Sequence, residues 1–334
     1  MPVQELPSNP SSENLRKQAK TLRNAVRAND RNAVARIREF HPTPEDARKE
    51  FQLSDAQLVV ARSYGFLSWV KLKQYVEVVE RHTFVPSESE TESAADRFVR
   101  LACLDYQSDR VERHERAREL FAEHPSLAVE NIFTATTVGD SSTVTRMLQE
   151  EPSLAIARGG PHNWEPLLYA SYSRLNSINP ANSTLEVARI LLKHGADPNA
   201  GFLWDGQYLF TALTGAFGEG ERGPKHQPEH QYCYQLARLL LEAGADPNDS
   251  QALYNRMFTG GTRHLEILFE YGLGKTTDGV WFQRLGNTLG TPTEMLQQQM
   301  GWAAKYNQLE RMKLLVEHAI NGVQPTTPPC CTAR

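Results

Sequence analysis

Cysteine is scarce in this chain, with four residues in 334. Cys103, Cys233, Cys330 and Cys331 show neither paired zinc-site spacing nor the number a disulfide scaffold needs. The adjacent Cys330 and Cys331 have no further ligand-bearing side chain beside them, so the thiols are read as reduced. No apolar run approaches the roughly 18–20 residues of a membrane helix. The opening MPVQELPSNPSSEN also lacks the hydrophobic region of a secretory signal. These absences point to a cytoplasmic protein with no membrane insertion. A Gly-x-Ser-x-Gly elbow, a phosphate loop and a dinucleotide fingerprint are missing too; the run GEGERG at 218–223 precedes neither Lys-Ser/Thr nor a strand. No cofactor is expected, and the paired carboxylates Glu150 and Glu151, or Glu88 and Glu90, lie where nothing would shift their acidity.

What the chain does have is an ordinary globular balance, 40% apolar and 23% charged, so most of it should fold. The net charge of -4 is unevenly spread. Residues 1–82 hold 14 Lys and Arg against 10 Asp and Glu, which leaves 22 against 30 for the remainder. Arg16, Lys20, Arg23 and Arg27 recur at helical spacing. Beside them Leu15, Ala19, Leu22 and Val26 make the stripe that a helix buries, so the cations read as its solvated face. Nucleic acid is accordingly disfavoured as a partner.

Repetition is the strongest signal. Residues 188–200 (ARILLKHGADPNA) and 237–249 (ARLLLEAGADPND) share nine of thirteen positions at an offset of 49. Each reads as the end of an amphipathic helix stopped by Gly195 or Gly244, where a left-handed cap is wanted, followed by the turn residues Asp-Pro-Asn. Weaker copies lie at 265–272 (LEILFEYG) and 312–319 (MKLLVEHA), the last with Ala319 in place of the glycine. Earlier copies at 118–128 and 146–155 end in Pro-Ser-Leu-Ala, and 35–42 ends in His-Pro, where proline denies the helix an amide donor. Shorter helices are expected before them at 133–138, 166–172, 211–217, 252–258 and 300–306, with Ala170, Ala212, Ala216, Ala303 and Ala304 allowing close packing.

Pro166, Leu167 and Ala170, Thr211, Leu213 and Ala216, and the Leu-Leu-Leu and Gly-Ala-Asp-Pro-Asn segments resemble the pattern of ankyrin repeats over residues 164–272. Leu168 stands where that family favours His, and the spacing of 49 exceeds the family's 33. The segment Leu15 to Val76 resembles the N-terminal region of bacterial ankyrin-repeat proteins. There Ser54 is expected as an N-cap, Gly65 as a break and Trp69 as core. The resemblance implies an all-α, ankyrin-type solenoid of stacked helix-turn-helix repeats, not an enzyme, that binds another protein through its concave face and long loops. The expected division is a disordered 1–13, helices over 14–82, a linker at 83–94 (TFVPSESETESA), the repeat array over 95–320, and a disordered tail at 321–334. The last unit, without its glycine, leaves an apolar end suited to self-association.

Expected partner contacts are Trp164, Tyr172 and Arg174 beside the first clear repeat, Trp204, Asp205 and Tyr208 on the next loop, and Tyr254, Asn255 and Arg256 in the following unit. Trp302 and Tyr306 are comparable. A second class of function rests on the insert at 218–230, where His226, Glu229 and His230 match the H-x-x-E-H arrangement of some zinc hydrolases. Pro228 interrupts it, and two ligands one helical turn apart are not expected.

Overall fold

The structure is a computed structural model that describes residues 4–7, 10–87, 91–175, 181–275 and 278–319. The expected tail at 321–334, with Cys330 and Cys331, lies outside the described residues, as does part of the expected disordered N-terminus. Contacts divide the chain into two compact units. The first holds residues 1–85, 202–208 and 284–286, and the second holds 86–201, 209–283 and 287–334.

In the first unit the helices are α1 (Ser12–Arg27), α2 (Arg31–Phe40), α3 (Pro44–Lys49), α4 (Leu53–Ser63) and α5 (Trp69–His82). Leu15, Ala19, Leu22 and Val26 line one stripe of α1 and join Ala56, Val59 and Val60 of α4 and Leu72 and Val76 of α5 in a shared core. Arg16, Lys20 and Arg27 face solvent on the same helix, with Arg23 half-buried. Two expectations need correction. Ser54 lies inside α4, whose N-cap is Gln52, because the Asp55 carboxylate accepts the Gln52 amide at 2.8 Å. Trp69 opens α5 half-buried at the edge of the core rather than within it.

The fold is predominantly helical, yet not wholly so. The segment expected as linker begins with β1 (Thr83–Phe84), and the chain forms β2 (Gly201–Trp204) and β3 (Tyr208–Thr211) around Asp205 and Gly206. β1 runs parallel to β2, with Thr83 opposite Leu203 and Phe84 opposite Trp204. The Phe84 and Phe202 rings meet edge to face at 5.2 Å. Asp205 and Gly206 have φ of 50° and 70°. An Asp-Gly pair between runs of aromatic residues is a strong turn signal, and the loop expected there is a turn between two short strands.

In the second unit α6 (Ala94–Ala102) and α7 (Val111–Glu123) pack together and precede α8 (Ile132–Val138), α9 (Ser141–Glu150), α10 (Pro166–Tyr172), α11 (Thr184–Lys193), α12 (Ala212–Phe217), α13 (Gly223–His226), α14 (Cys233–Glu242), α15 (Ser250–Asn255) and α16 (Arg263–Glu270). Then come α17 (Val280–Leu285), which ends in the first unit's residues, α18 (Pro292–Lys305) and α19 (Leu309–Ala319). The short helices pack in sequence, α8 on α10, α10 on α12 and α12 on α15, and α15 packs on α18, which at 14 residues is twice the length of the helix expected at 300–306. The second helices do likewise, α9 on α11, α11 on α14 and α14 on α16. Ala135, Ala170, Ala212, Ala216 and Ala252 of the short helices and Ala303 of α18 are fully buried, whereas Ala304 is exposed.

The repeated ends are alike in detail. Gly195, Gly244 and Gly272 have φ of 90°, 101° and 101°. The next residue in each case donates its amide back into the helix: Ala196 to Leu191, Ala245 to Leu240 and Leu273 to Leu268, at 2.9–3.0 Å. The asparagine that follows ties one unit to the next. Asn199 donates to the Gly244 carbonyl at 3.0 Å and accepts the Asp246 amide at 2.8 Å, and Asn248 accepts the Gly274 amide at 2.8 Å.

Nothing lies within 4 Å of a Cβ built on Gly244, so a substitution there meets backbone strain alone. Gly244→Ala is expected to cost about 1–2 kcal/mol, and Gly244→Val more because a β-branched side chain tolerates positive φ least. Urea denaturation checks this; equal midpoints for valine and wild type would contradict it.

Candidate partner-binding site

The nine expected contact residues separate by burial. Trp164 is 1% exposed and packs against His162, Tyr169 and Tyr172 with centroids 4.4, 5.4 and 5.1 Å away. Tyr172 is fully buried and donates its hydroxyl to the Thr211 carbonyl at 2.8 Å. Arg174 reaches the carbonyls of Ser171, Ser173, Gly215 and Pro228 at 2.7–3.1 Å. Asn255 is buried and accepts from Gln251, and Arg256 is buried between Glu219 at 2.8 Å and Glu229 at 2.9 Å. These five are corrected: all of them are buried, so none presents its side chain on a surface that a partner could meet. Tyr254 is half-buried, with its hydroxyl on Glu221. Trp204 is half-buried, and Asp205 and Tyr208 are exposed. The Trp204 and Tyr208 rings lie 6.4 Å apart across the turn that the positive φ values create.

Two exposed residues had no advance signal beyond the Pro-Ser-Leu-Ala repeat. Val129 and Ile156 end the equivalent one-turn 3₁₀ segments Pro125–Val129 and Pro152–Ile156, and they are 49% and 55% exposed. Equivalent turns thus present an aliphatic side chain to solvent twice.

The insert at 218–230 is a folded part of the second unit. Gly218 has φ of 62°, and a Cβ there would stand 2.6 Å from the Pro228 carbonyl, so the chain crosses itself where only glycine fits. Glu219 pairs with Arg256 and accepts from Thr259. Gln227 donates to Asp109 at 3.0 Å, and Arg222 to the Asp109 carbonyl at 3.3 Å. Behind this, Arg113 reaches Asp105 and Asp109, each at 2.9 Å. Burial and then the Asp105 charge push the Asp109 carboxyl up to about 6. Burial would raise Asp105 too, but Arg113 and the Ser108 and Gln107 amides outweigh it and hold that carboxyl below its ordinary value.

The same packing decides the fate of the H-x-x-E-H motif. The His230 ring is buried with Nε2 2.9 Å from the Thr184 hydroxyl, and Nδ1 accepts the Tyr232 amide at 3.1 Å. Glu229 is paired with Arg256, and His226 closes α13. Both His230 nitrogens and the carboxylate are therefore spoken for. Among the described residues no group of three or more His, Cys, Asp or Glu is arranged to hold a metal. Burial pushes the Cys103 and Cys233 thiols up to about 12, far from the range of a reactive thiolate.

No protein-family model matches the chain, and no solved structure does. Over 69 residues, 20% of its length, it is 39% identical to the proteins described as ankyrin repeat and SOCS box protein 6 of Pongo abelii and of Homo sapiens. The chain spans 16% of the length of those curated relatives. That partial likeness agrees with ankyrin repeats in a mostly helical protein and reaches no further. Among the described residues no helix is long and apolar enough to cross a membrane.

Proposed function

We propose that the chain is a non-enzymatic protein-interaction module, in which ankyrin-type helix pairs stack as a solenoid and the exposed turn bearing Trp204, Asp205 and Tyr208 meets a partner protein. The observation that carries this reading is the asparagine relay. Asn199 and Asn248 occupy the same place in successive units, and each bonds the backbone of the unit that follows. A segment this short buries its apolar face only by stacking, and the relay fixes the register of the stack. The likeness to ankyrin-repeat proteins over 69 residues supports the same assignment. A stacked array exposes side chains that are free to vary without disturbing the packed positions, and large aromatic residues are good anchors on such a surface. The reading extends to α1–α5 as the helical region that precedes such arrays in bacterial proteins, and to a cytoplasmic setting, for which the two buried free thiols, Cys103 and Cys233, speak.

The test separates folding from contact. With a photo-cross-linker placed at Tyr208, a defined partner should be captured from native extract. Trp204→Ala combined with Tyr208→Ala should reduce its affinity about tenfold or more, as loss of two aromatic anchors does, while leaving the melting temperature within about 2 °C. Capture of that partner at full affinity by the double variant would remove the assignment.

A further inference from the structure

The rings of Tyr254, Phe258, Trp302 and Tyr306 form a continuous row. Tyr254 and Phe258 meet edge to face at 5.4 Å, Phe258 and Trp302 lie 6.4 Å apart, and Trp302 and Tyr306 stack at 5.5 Å with planes 5° apart. The row runs from α15 and the 3₁₀ turn Arg256–Phe258 that follows it onto the 14-residue α18, which packs against α15. It is not core. Tyr254, Phe258 and Trp302 are half-buried and Tyr306 is 46% exposed.

Three glycines flank it. Gly301 sits inside α18, where alanine is the better helix former, and Gly260 and Gly261 follow Phe258. A Cβ built on any of the three would meet nothing within 4 Å. Neither internal packing nor, at Gly301, helix propensity accounts for them, and a missing side chain beside an aromatic surface admits another backbone. The ammonium of Lys305 lies over the last two rings of the row, 4.6 Å from the Trp302 centroid and 5.5 Å from that of Tyr306. No carboxylate pairs with it among the described residues.

We propose that this row is a docking platform for an extended, proline-bearing segment of a partner protein that carries an acidic residue. Resting on the interaction-module reading, the proposal names the partner's chemistry. Flat parallel rings suit the puckered face of proline, and a polyproline segment enters with little conformational entropy to lose. Its backbone makes no hydrogen bonds of its own and lies in the space the glycines leave. Lys305 supplies the complementary charge for an acidic neighbour, held in place over the two rings.

The probe is a fluorescein-labelled synthetic peptide of ten residues, alternating Pro and Leu with Glu at two positions, titrated into the full chain by anisotropy. Trp302→Ala and Tyr306→Ala should each weaken it at least tenfold, and Lys305→Glu at least fivefold, with the Lys305 effect absent for the Glu→Gln probe. A probe with alanine in place of every proline should bind at least tenfold more weakly than the original. Unchanged binding in both aromatic variants, or equal binding of the proline-free probe, overturns the proposal. Displacement of the probe by a peptide of residues 320–334 at tenfold lower concentration than the unlabelled probe requires also overturns it, by giving the platform to this chain's own C-terminal segment. A failed titration beside intact partner capture through Trp204 and Tyr208 rejects the platform alone, whereas lost capture rejects the module reading.

Discussion

Gly139→Ala is expected to destabilise the protein by about 3 kcal/mol or more, the sum of backbone strain and a steric clash that cannot relax cheaply. Gly139 ends α8 with φ of 82°. A Cβ there would stand 2.7 Å from the Thr184 amide nitrogen and 2.9 Å from the Ser183 carbonyl carbon, both of them backbone atoms. The approach is close because Ser183 donates its amide to the Gly139 carbonyl at 2.8 Å, which fixes the start of α11 against the turn between α8 and α9. Pushing them apart disturbs two units at once. Gly195→Ala is the control: φ is 90°, yet nothing lies within 4 Å of the added carbon. It should cost only about 1–2 kcal/mol. Urea midpoints measured side by side isolate the close approach, and indistinguishable midpoints for the two variants would show that the turn accommodates a methyl group.

Acid should unfold the protein earlier than its carboxylates alone would. His114, His162 and His230 are buried, and burial pushes each ring down to about 3; His264, with no exposure at all, lies well below its ordinary value for the same reason. The folded pKa is thus lower than the unfolded value near 6.5. As pH falls through about 6.5 the unfolded chain takes up protons that the folded chain refuses, so stability is present above that pH and is lost progressively down to about 3. Asp109, held up at about 6, titrates with the opposite sign, and the raised carboxyls of Asp249 and Glu219 do the same. Four rings against three carboxyls still leave net uptake on unfolding, and each net proton removes about 1.4 kcal/mol per pH unit. The melting temperature should therefore fall between pH 7.5 and pH 5. His264 offers the sharpest test, since both of its ring nitrogens lack a hydrogen-bond partner and the ring faces Phe217 at 6.1 Å. His264→Leu should stabilise by about 1–3 kcal/mol at pH 5, the desolvation cost of an unsatisfied buried group, and should flatten the pH profile. A profile parallel to wild type would exclude this ring as a source of the acid sensitivity.

The candidate site was only partly legible before the fold was known. Trp164, Tyr172, Arg174, Asn255 and Arg256 are residue types that make good anchors wherever they are exposed, and nothing in their neighbours along the chain says that they are not. Asp205-Gly206 did carry a local signal, since the turn it makes depends on two adjacent residues that tolerate positive φ. Gly218 carried none, because its need for a missing side chain comes from Pro228 and Glu229 folding back beside it.

Local sequence by itself determined the helical units, their glycine ends and the Asp-Pro-Asn turns. Each of these follows from periodic apolar residues, an absent Cβ at positive φ, or a proline that withholds an amide. Gly195, Gly244 and Gly272 end their helices where the pattern of leucines runs out. Tertiary structure alone decided which aromatic and charged side chains reach solvent. Gln227 meets Asp109 across 118 residues, Arg174 meets Pro228 across 54, and the insert that makes these bonds covers side chains the helical pattern would leave open. Burial depends on what folds against a residue from far along the chain, and a period of 3.6 residues holds no information about that.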